Sequence, residues 1–264
     1  MAGFVFSAFG FVSDFGFRIS DFRPKNMNRR TFVKSLPALT VLAGTVSGFA
    51  QETSPSTAAL LPIPLPKPQS DGGKSVLAAL RERRTNRNIS AERLSPQMLS
   101  NLLWAAFGVN RETGGPFGQA GRTAASASNS QEIDLYVALA DGIYLYEAVP
   151  HRLVPMVPGD QRAKVGGRGR GGSAASAPVN LIFVADIAKY SKAPLQEPRM
   201  KDPEFQKLYY GVATGLIAGN VYLFAASQGL AAWFHNCNRE GLATELKLRP
   251  DQRVLFAQTV GYPA

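Results

Sequence analysis

The sequence predicts an α+β fold, a mostly antiparallel sheet flanked by helices, and three stretches carry that expectation. Ile133 to Leu139 reads as a strand, Asp141-Gly142 is a tight-turn pair, and Ile143-Tyr144-Leu145-Tyr146 answers as a second strand. Pro178 to Ala185 holds Val179, Leu181, Ile182, Phe183 and Val184 in an apolar run, the pattern of a strand buried on both faces. Tyr209 to Leu230 reads as a long helix crowded with small residues, among them Gly211, Gly215 and Gly219. Each glycine in a helix interior costs up to about 1 kcal/mol relative to alanine. Close approach of another backbone is therefore expected along that helix.

The remaining elements follow from local signals. Val76, Leu77 and Leu80 recur as a short helical pattern. Ser95-Pro96 places a capping hydroxyl before a proline at the first helical position. Met98, Leu99, Leu102, Leu103 and Ala106 then recur at helical spacing until Gly108, with Trp104 and Phe107 widening the apolar face. Arg152-Leu153-Val154 reads as a third strand after the hairpin. Ala231 to Phe234 is a further strand, Leu242, Leu246 and Leu248 mark a short helix, and Arg253 to Val260 is a last strand.

The chain has 264 residues, 45% hydrophobic and 18% charged, which supports one sizeable core and excludes global disorder. The formal charge of +10 raises polyanions as partners. Part of that charge sits early, in Arg18, Arg23, Lys25, Arg29, Arg30 and Lys34. The stretch from Gly166 to Gly172, with Arg168 and Arg170, could be an Arg-Gly RNA-binding tract or a flexible loop. It is a single short copy without aromatic residues, so a loop is expected and no nucleic-acid partner. One cysteine, Cys237, excludes an intrachain disulfide. With only His151 and His235 besides, no zinc set is expected.

Residues 1–26 are read as an upstream extension. From Met27, the run Asn28-Arg29-Arg30-Thr31-Phe32-Val33-Lys34 precedes an uncharged segment from Ser35 to Ala50, shorter than the roughly 20 residues that span a bilayer. Gly48-Phe49-Ala50 offers a cleavage site. Residues 27–50 thus resemble a twin-arginine export signal, which implies a periplasmic protein without a stable membrane anchor. Residues 51–70 hold Pro55, Pro62, Pro64, Pro66 and Pro68 and read as a linker, or as an arm laid over the domain. The folded domain is expected over 71–264.

Two stretches carry chemistry. Arg83-Arg84-Thr85-Asn86-Arg87 gathers three guanidiniums and a hydroxyl. Guanidinium forks match phosphate oxygens in pairs, and Thr85 can add a bond. The competing reading is a basic helix end complementing the helix dipole. Thr113 to Gly121 is rich in glycine but lacks the Gly-Lys-Ser/Thr ending of a nucleotide P-loop. Beyond it, Arg122 could reach an anion. The second stretch is Ser126-Ala127-Ser128-Asn129-Ser130-Gln131, running into the strand at Ile133.

Taken in order, these two stretches resemble the signature of the nitroreductase flavoproteins over roughly residues 75 to 262, with Thr85 for a serine and Ala125 and Glu132 for prolines. The resemblance implies a nitroreductase fold that pairs as a homodimer with FMN at the interface. It implies that Arg83, Arg84, Thr85 and Arg87 hold the flavin phosphate, and that Ser126, Ser128, Asn129 and Gln131, from the other subunit, bond the ribityl chain or ring edge. His235-Asn236-Cys237-Asn238 occupies the place of the loop that brings backbone amides to the flavin, with Cys237 at the usual glycine. Asn220 falls at a characteristic asparagine. Asp141 to Tyr146, His151-Arg152-Leu153 and Asp160-Gln161-Arg162 resemble the azoline-dehydrogenase branch. That branch uses a Lys-Tyr pair as acid and base, here Lys189-Tyr190. The competing reading is a surface lysine beside a packed tyrosine. The activity implied is FMN-dependent two-electron transfer to or from a small organic redox substrate, with an unidentified electron donor. The alternative is an exported flavin- or anion-binding protein without turnover.

Overall fold

The computed structural model describes residues 60–113, 118–166 and 172–264. The upstream extension and signal-like segment (1–50), the first part of the proline-rich run (51–59), the middle of the glycine-rich loop (114–117) and the Arg168/Arg170 tract (167–171) lie outside the described residues. In chain order the strands are β1 (Ile63–Pro64), β2 (Val109–Arg111), β3 (Gly121–Arg122), β4 (Ile133–Ala138), β5 (Gly142–Glu147), β6 (Arg152–Pro158), β7 (Val179–Asp186), β8 (Ala231–His235) and β9 (Gln252–Gly261). The α-helices are α1 (Val76–Glu82), α2 (Pro96–Phe107), α3 (Arg162–Val165), α4 (Gly172–Ser176), α5 (Pro203–Gln228) and α6 (Arg239–Glu245).

Seven strands form one sheet in the order β1-β6-β5-β4-β7-β9-β8, and every neighbouring pair is antiparallel. This is the α+β architecture anticipated from the sequence, an antiparallel sheet flanked by helices. The Asp141-Gly142 turn closes through the Leu139 amide donating to the Gly142 carbonyl at 2.9 Å. A Cβ at Gly142 would lie 2.6 Å from the Val157 carbonyl oxygen, so no larger residue fits that crossing.

Central strand β7 is buried along its whole length. Its side chains divide by parity: Leu181 and Phe183 join the larger core with Leu102, Leu103, Ile217 and Val221, whereas Ile182 and Val184 join Tyr136, Leu242 and Leu246 on the opposite face. Alternation along one strand thus builds two cores. Helix α2 begins as expected, with the Ser95 hydroxyl accepting from the Met98 amide at 3.1 Å.

Helix α5 has 26 residues and is apolar enough by length and composition to cross a membrane. Here it buries Ala213, Thr214, Ile217, Ala218, Val221 and Ala225 in the domain. Among the described residues the expected close approach to its glycines does not occur: none lies within 4 Å of a Cβ built at Gly211, Gly215 or Gly219. These glycines lie beside Leu208, Val212 and Leu216, which are 57%, 55% and 45% exposed. The glycine-bearing stripe of α5 therefore points outward.

Residues 60–70 lie along the domain. Ile63 pairs with Leu153, and the Leu65 amide donates to the His151 carbonyl at 3.2 Å. Side chains of α2 hold the rest of this arm.

Candidate functional site

The arginine-rich stretch leaves α1 and runs along the edge of the sheet. Arg83 caps α1, its amide donating to the Ala79 carbonyl at 2.8 Å, and the Asn86 amide donates to Ala232 of β8 at 2.9 Å. The Arg83 guanidinium lies 5.5 Å from the Tyr222 ring centroid, and that of Arg87 lies 5.5 Å from the Trp233 ring centroid. Such contacts contribute about 0.5–1 kcal/mol at exposed sites, and they orient the forks. Between them the Thr85 and Tyr222 hydroxyls are 3.0 Å apart. Tyr222 also accepts from the Phe234 amide at 2.9 Å.

Beside this face lies a cleft of about 440 Å³ lined by Arg83, Arg84, Asn86, Lys74 and Arg81 over a floor that includes Ala225 and Ala232. Glu82 lines it too, paired with Lys74, and that bond holds its carboxyl below the usual value. Among the described residues four cations therefore face one carboxylate. Such a cleft suits a multiply charged anion.

At the end of β8, His235 is buried. Its Nδ1 lies 2.8 Å from the Asn236 carbonyl oxygen and its Nε2 lies 2.9 Å from the Thr259 hydroxyl. Thr259 in turn donates to Asn180 Oδ1 at 2.6 Å. Burial lowers the His235 pKa. Its ring stacks on Trp233 with centroids 4.2 Å apart. Cys237 forms a bridge with Gly166 and is partly buried, and burial raises its thiol to about 11. It is held as a thiol. Among the described residues no group of three or more His, Cys, Asp or Glu could hold a metal ion.

The Ser/Asn turn is a strained loop built by side chains. Ser128, Asn129 and Gln131 have φ of 48°, 53° and 49°. Left-handed backbone at non-glycine residues is a cost that surrounding structure must over-determine, and it collects at functional sites. The determinants are visible here. The Ser126 hydroxyl accepts from the Gln131 amide at 2.9 Å, and Gln131 Nε2 donates to Ala120 and Asn129. Ser128 donates to Glu197 at 3.0 Å, and Asn129 donates to Gln119 at 3.3 Å.

Three residues singled out from the sequence lie at or beside this turn. Arg122, read as a group that could reach an anion, donates to Gln131 Oε1 at 2.7 Å and to the Phe107 carbonyl at 3.1 Å. Lys189 donates to the Gln131 carbonyl at 3.2 Å and to Asp134 at 2.6 Å. Tyr190 is 2% exposed and donates to the Gln206 carbonyl at 3.3 Å. Burial first, then neighbouring Glu132, raises the Tyr190 pKa. The Lys189 ammonium is thus tied to the turn and to Asp134, and the Tyr190 phenol is enclosed. Both act as braces. Asn220 is a brace as well, donating to Thr123 at 3.1 Å from α5.

The two clusters lie at opposite ends of the sheet. The turn leads into Ile133, which pairs with Ala185, which pairs with Arg253. The arginine stretch meets Ala232, which pairs with Val260. Seven residues of β9 separate those levels, about 23 Å at ~3.3 Å per residue.

The model of the nitroreductase family matches residues 80–262, most of the chain. The chain belongs to the nitroreductase family. A nitroreductase described from Ralstonia eutropha JMP134 is 34% identical, with 78% of this chain and 91% of that chain aligned at a TM-score of 0.68. The Escherichia coli microcin synthetase McbBCD complex with truncated pro-MccB17 aligns at 18% identity over 75% of this chain and 76% of that one, TM-score 0.58, a likeness of fold alone. No curated protein matches the sequence.

Tyr222 and Trp233 are site residues that sequence reasoning missed. Nothing local marks either, because each gains its role only when α5 and β8 meet the arginine stretch.

Proposed function

We propose that this nitroreductase-family protein binds FMN and carries out two-electron transfer to or from a small organic substrate, as a homodimer. The observation that carries the proposal is the separation of two half-sites within one chain, a cationic, hydroxyl-bearing face at one end and a strained Ser/Asn turn at the other. The donor set fits the cofactor: guanidinium forks and a threonine hydroxyl beside a cationic cleft suit a phosphate monoester dianion. Arg83, Arg84, Thr85 and Arg87 would hold the phosphate, and the His235-Asn236 end of β8 would border the ring. Ser126, Ser128, Asn129 and Gln131 of a second copy would complete the site. FMN supplies hydride-level redox chemistry when bound, and the protein supplies orientation and electrostatics. The outward stripe of α5 supports the pairing, since glycines that meet nothing among the described residues would admit a second copy's backbone.

The residues of this chain bind and orient. Tyr222 fixes Thr85, Arg122 and Lys189 hold the turn, and the buried His235 stiffens the end of β8. The β5–β6 hairpin supports a place near the azoline-dehydrogenase branch, whereas the bracing of Lys189 and Tyr190 argues against transferring that branch's acid and base. The segment from Met27 to Ala50 supports export by the twin-arginine route to the periplasm, where a protein folded around its cofactor would arrive loaded.

The test is flavin content. Purified protein is expected to carry FMN, and Arg83→Ala with Arg87→Ala to lose it. Retention of stoichiometric FMN in the double variant, or failure of the folded wild type to take up FMN, overturns the proposal. Reduction by a test donor and reoxidation by a quinone separates an enzyme from a flavin carrier without turnover.

A further inference from the structure

A second cleft, of about 480 Å³, lies between the proline-rich arm and the β2–β3 ribbon, away from the arginine stretch. Its volume is in the range of small-molecule pockets. Its walls include Lys67, Trp104, Val109, Glu112, Val149 and His151.

The arm is pinned along the cleft. The Ser100 hydroxyl donates to the Pro66 carbonyl at 2.6 Å, Gln97 donates to the Lys67 carbonyl at 2.9 Å, and the Gln69 amide donates to Asn101 at 2.8 Å. Behind it runs a directional relay. Ser100 has one hydrogen, committed to Pro66, so His151 Nε2 donates to Ser100 at 2.7 Å, and Nδ1 lies 2.9 Å from the Tyr146 hydroxyl. Burial lowers the His151 pKa and favours the neutral imidazole, in which Nδ1 accepts from Tyr146 and the ring adds no charge to the cleft.

The charges in the cleft are then one of each sign. Among the described residues, neither the Lys67 ammonium nor the Glu112 carboxylate has a hydrogen-bond or ion-pair partner, although both line the same space. Trp104 donates its indole N–H to the Val109 carbonyl at 2.9 Å, which leaves its ring as an apolar platform. An aromatic platform with one free cation and one free anion complements an aromatic molecule that carries both a carboxylate and an ammonium. The cleft also adjoins the Ser/Asn turn, because the carbonyl of Ala120, one of its lining residues, accepts from Gln131 at 2.9 Å.

We propose that this cleft binds an aromatic zwitterion of the amino-acid type, its ring on Trp104, its carboxylate on Lys67 and its ammonium on Glu112. Its role as the place of the redox substrate rests on the FMN reading, whereas the binding itself does not. The test is calorimetric titration of the purified full chain, its FMN content recorded, with para-nitrophenylalanine, the N-acetyl derivative and the methyl ester. The zwitterion is expected to bind, and removal of either charge to weaken it about fivefold, the size of one exposed ion pair. Lys67→Ala should abolish the penalty for the ester and leave that for acetylation, and Glu112→Gln should do the reverse. Both side chains are exposed, and unchanged circular dichroism establishes that the variants fold. Absence of binding, equal binding of all three probes, or an unchanged pattern in the variants overturns the proposal. The charge pattern in protein that takes up no FMN supports the cleft and removes the flavin reading. FMN-loaded protein without the pattern removes the cleft alone.

Discussion

The hydroxyl of Thr85 stands 3.0 Å from that of Tyr222, and the same Tyr222 oxygen accepts the Phe234 amide at 2.9 Å. One phenol thus joins the arginine stretch, the long helix and the edge strand. When Tyr222 donates to Thr85, the threonine hydrogen is free for an anion. Tyr222→Phe removes both contacts and strands an amide. The expected cost is about 1–3 kcal/mol, seen as a lower urea midpoint together with weaker FMN binding in a fluorescence titration. Unchanged FMN affinity would show that Thr85 does not depend on Tyr222.

Lys189 separates bracing from acid–base catalysis. Its ion pair with Asp134 is partly buried, at 32% and 17% side-chain exposure. Lys189→Met leaves that carboxylate without its partner and releases the Gln131 carbonyl. FMN affinity and melting temperature are expected to fall together, with about 1–3 kcal/mol lost. An acid–base role would instead leave flavin binding intact and collapse kcat.

The outward face of α5 predicts the oligomer. Val212→Asp with Leu216→Asp places charge where the wild-type side chains are 55% and 45% exposed, so the domain should keep its circular dichroism. Sedimentation is expected to change from dimer to monomer, with loss of FMN because each site would need two copies. A wild-type protein that sediments as a monomer while binding FMN would refute the shared site.

Acid should loosen the arm. Burial lowers the pKa of His151 from 6.5, so the unfolded chain takes up the proton first as pH falls. Stability from this residue is full above about pH 6.5 and declines below it, with a slope of up to about 1.4 kcal/mol per pH unit until the folded histidine also titrates. His235 is shifted in the same direction. His151→Asn keeps a residue tolerant of the φ of 46° and removes the titration. Urea unfolding from pH 8 to pH 5 should show a shallower acid decline in this variant than in the wild type.

Strands and helices with strong local patterns were legible. The run read as 178–185 is β7 over Val179–Asp186, and the hairpin turn falls at Asp141-Gly142. Helix α5 starts earlier than its apolar pattern, because Asp202 caps it ahead of Pro203. The β2–β3 ribbon escaped notice, since strands of three and two residues carry no period. Arg122 shows the limit for the site. A lone arginine after a glycine-rich loop looks available for an anion, and only its contacts with Gln131 and Phe107 reveal a brace.

By itself the sequence determined the family, the antiparallel sheet and the identity of the two polar stretches, because turn chemistry, periodicity and short motifs are local properties. Only the tertiary structure decided that these stretches stand at opposite ends of the sheet, that Lys189 is tied to Gln131 and Asp134 while Tyr190 is enclosed, and that the α5 glycines face outward. Those are matters of strand order and helix rotation, set by the packing of residues far apart in the chain.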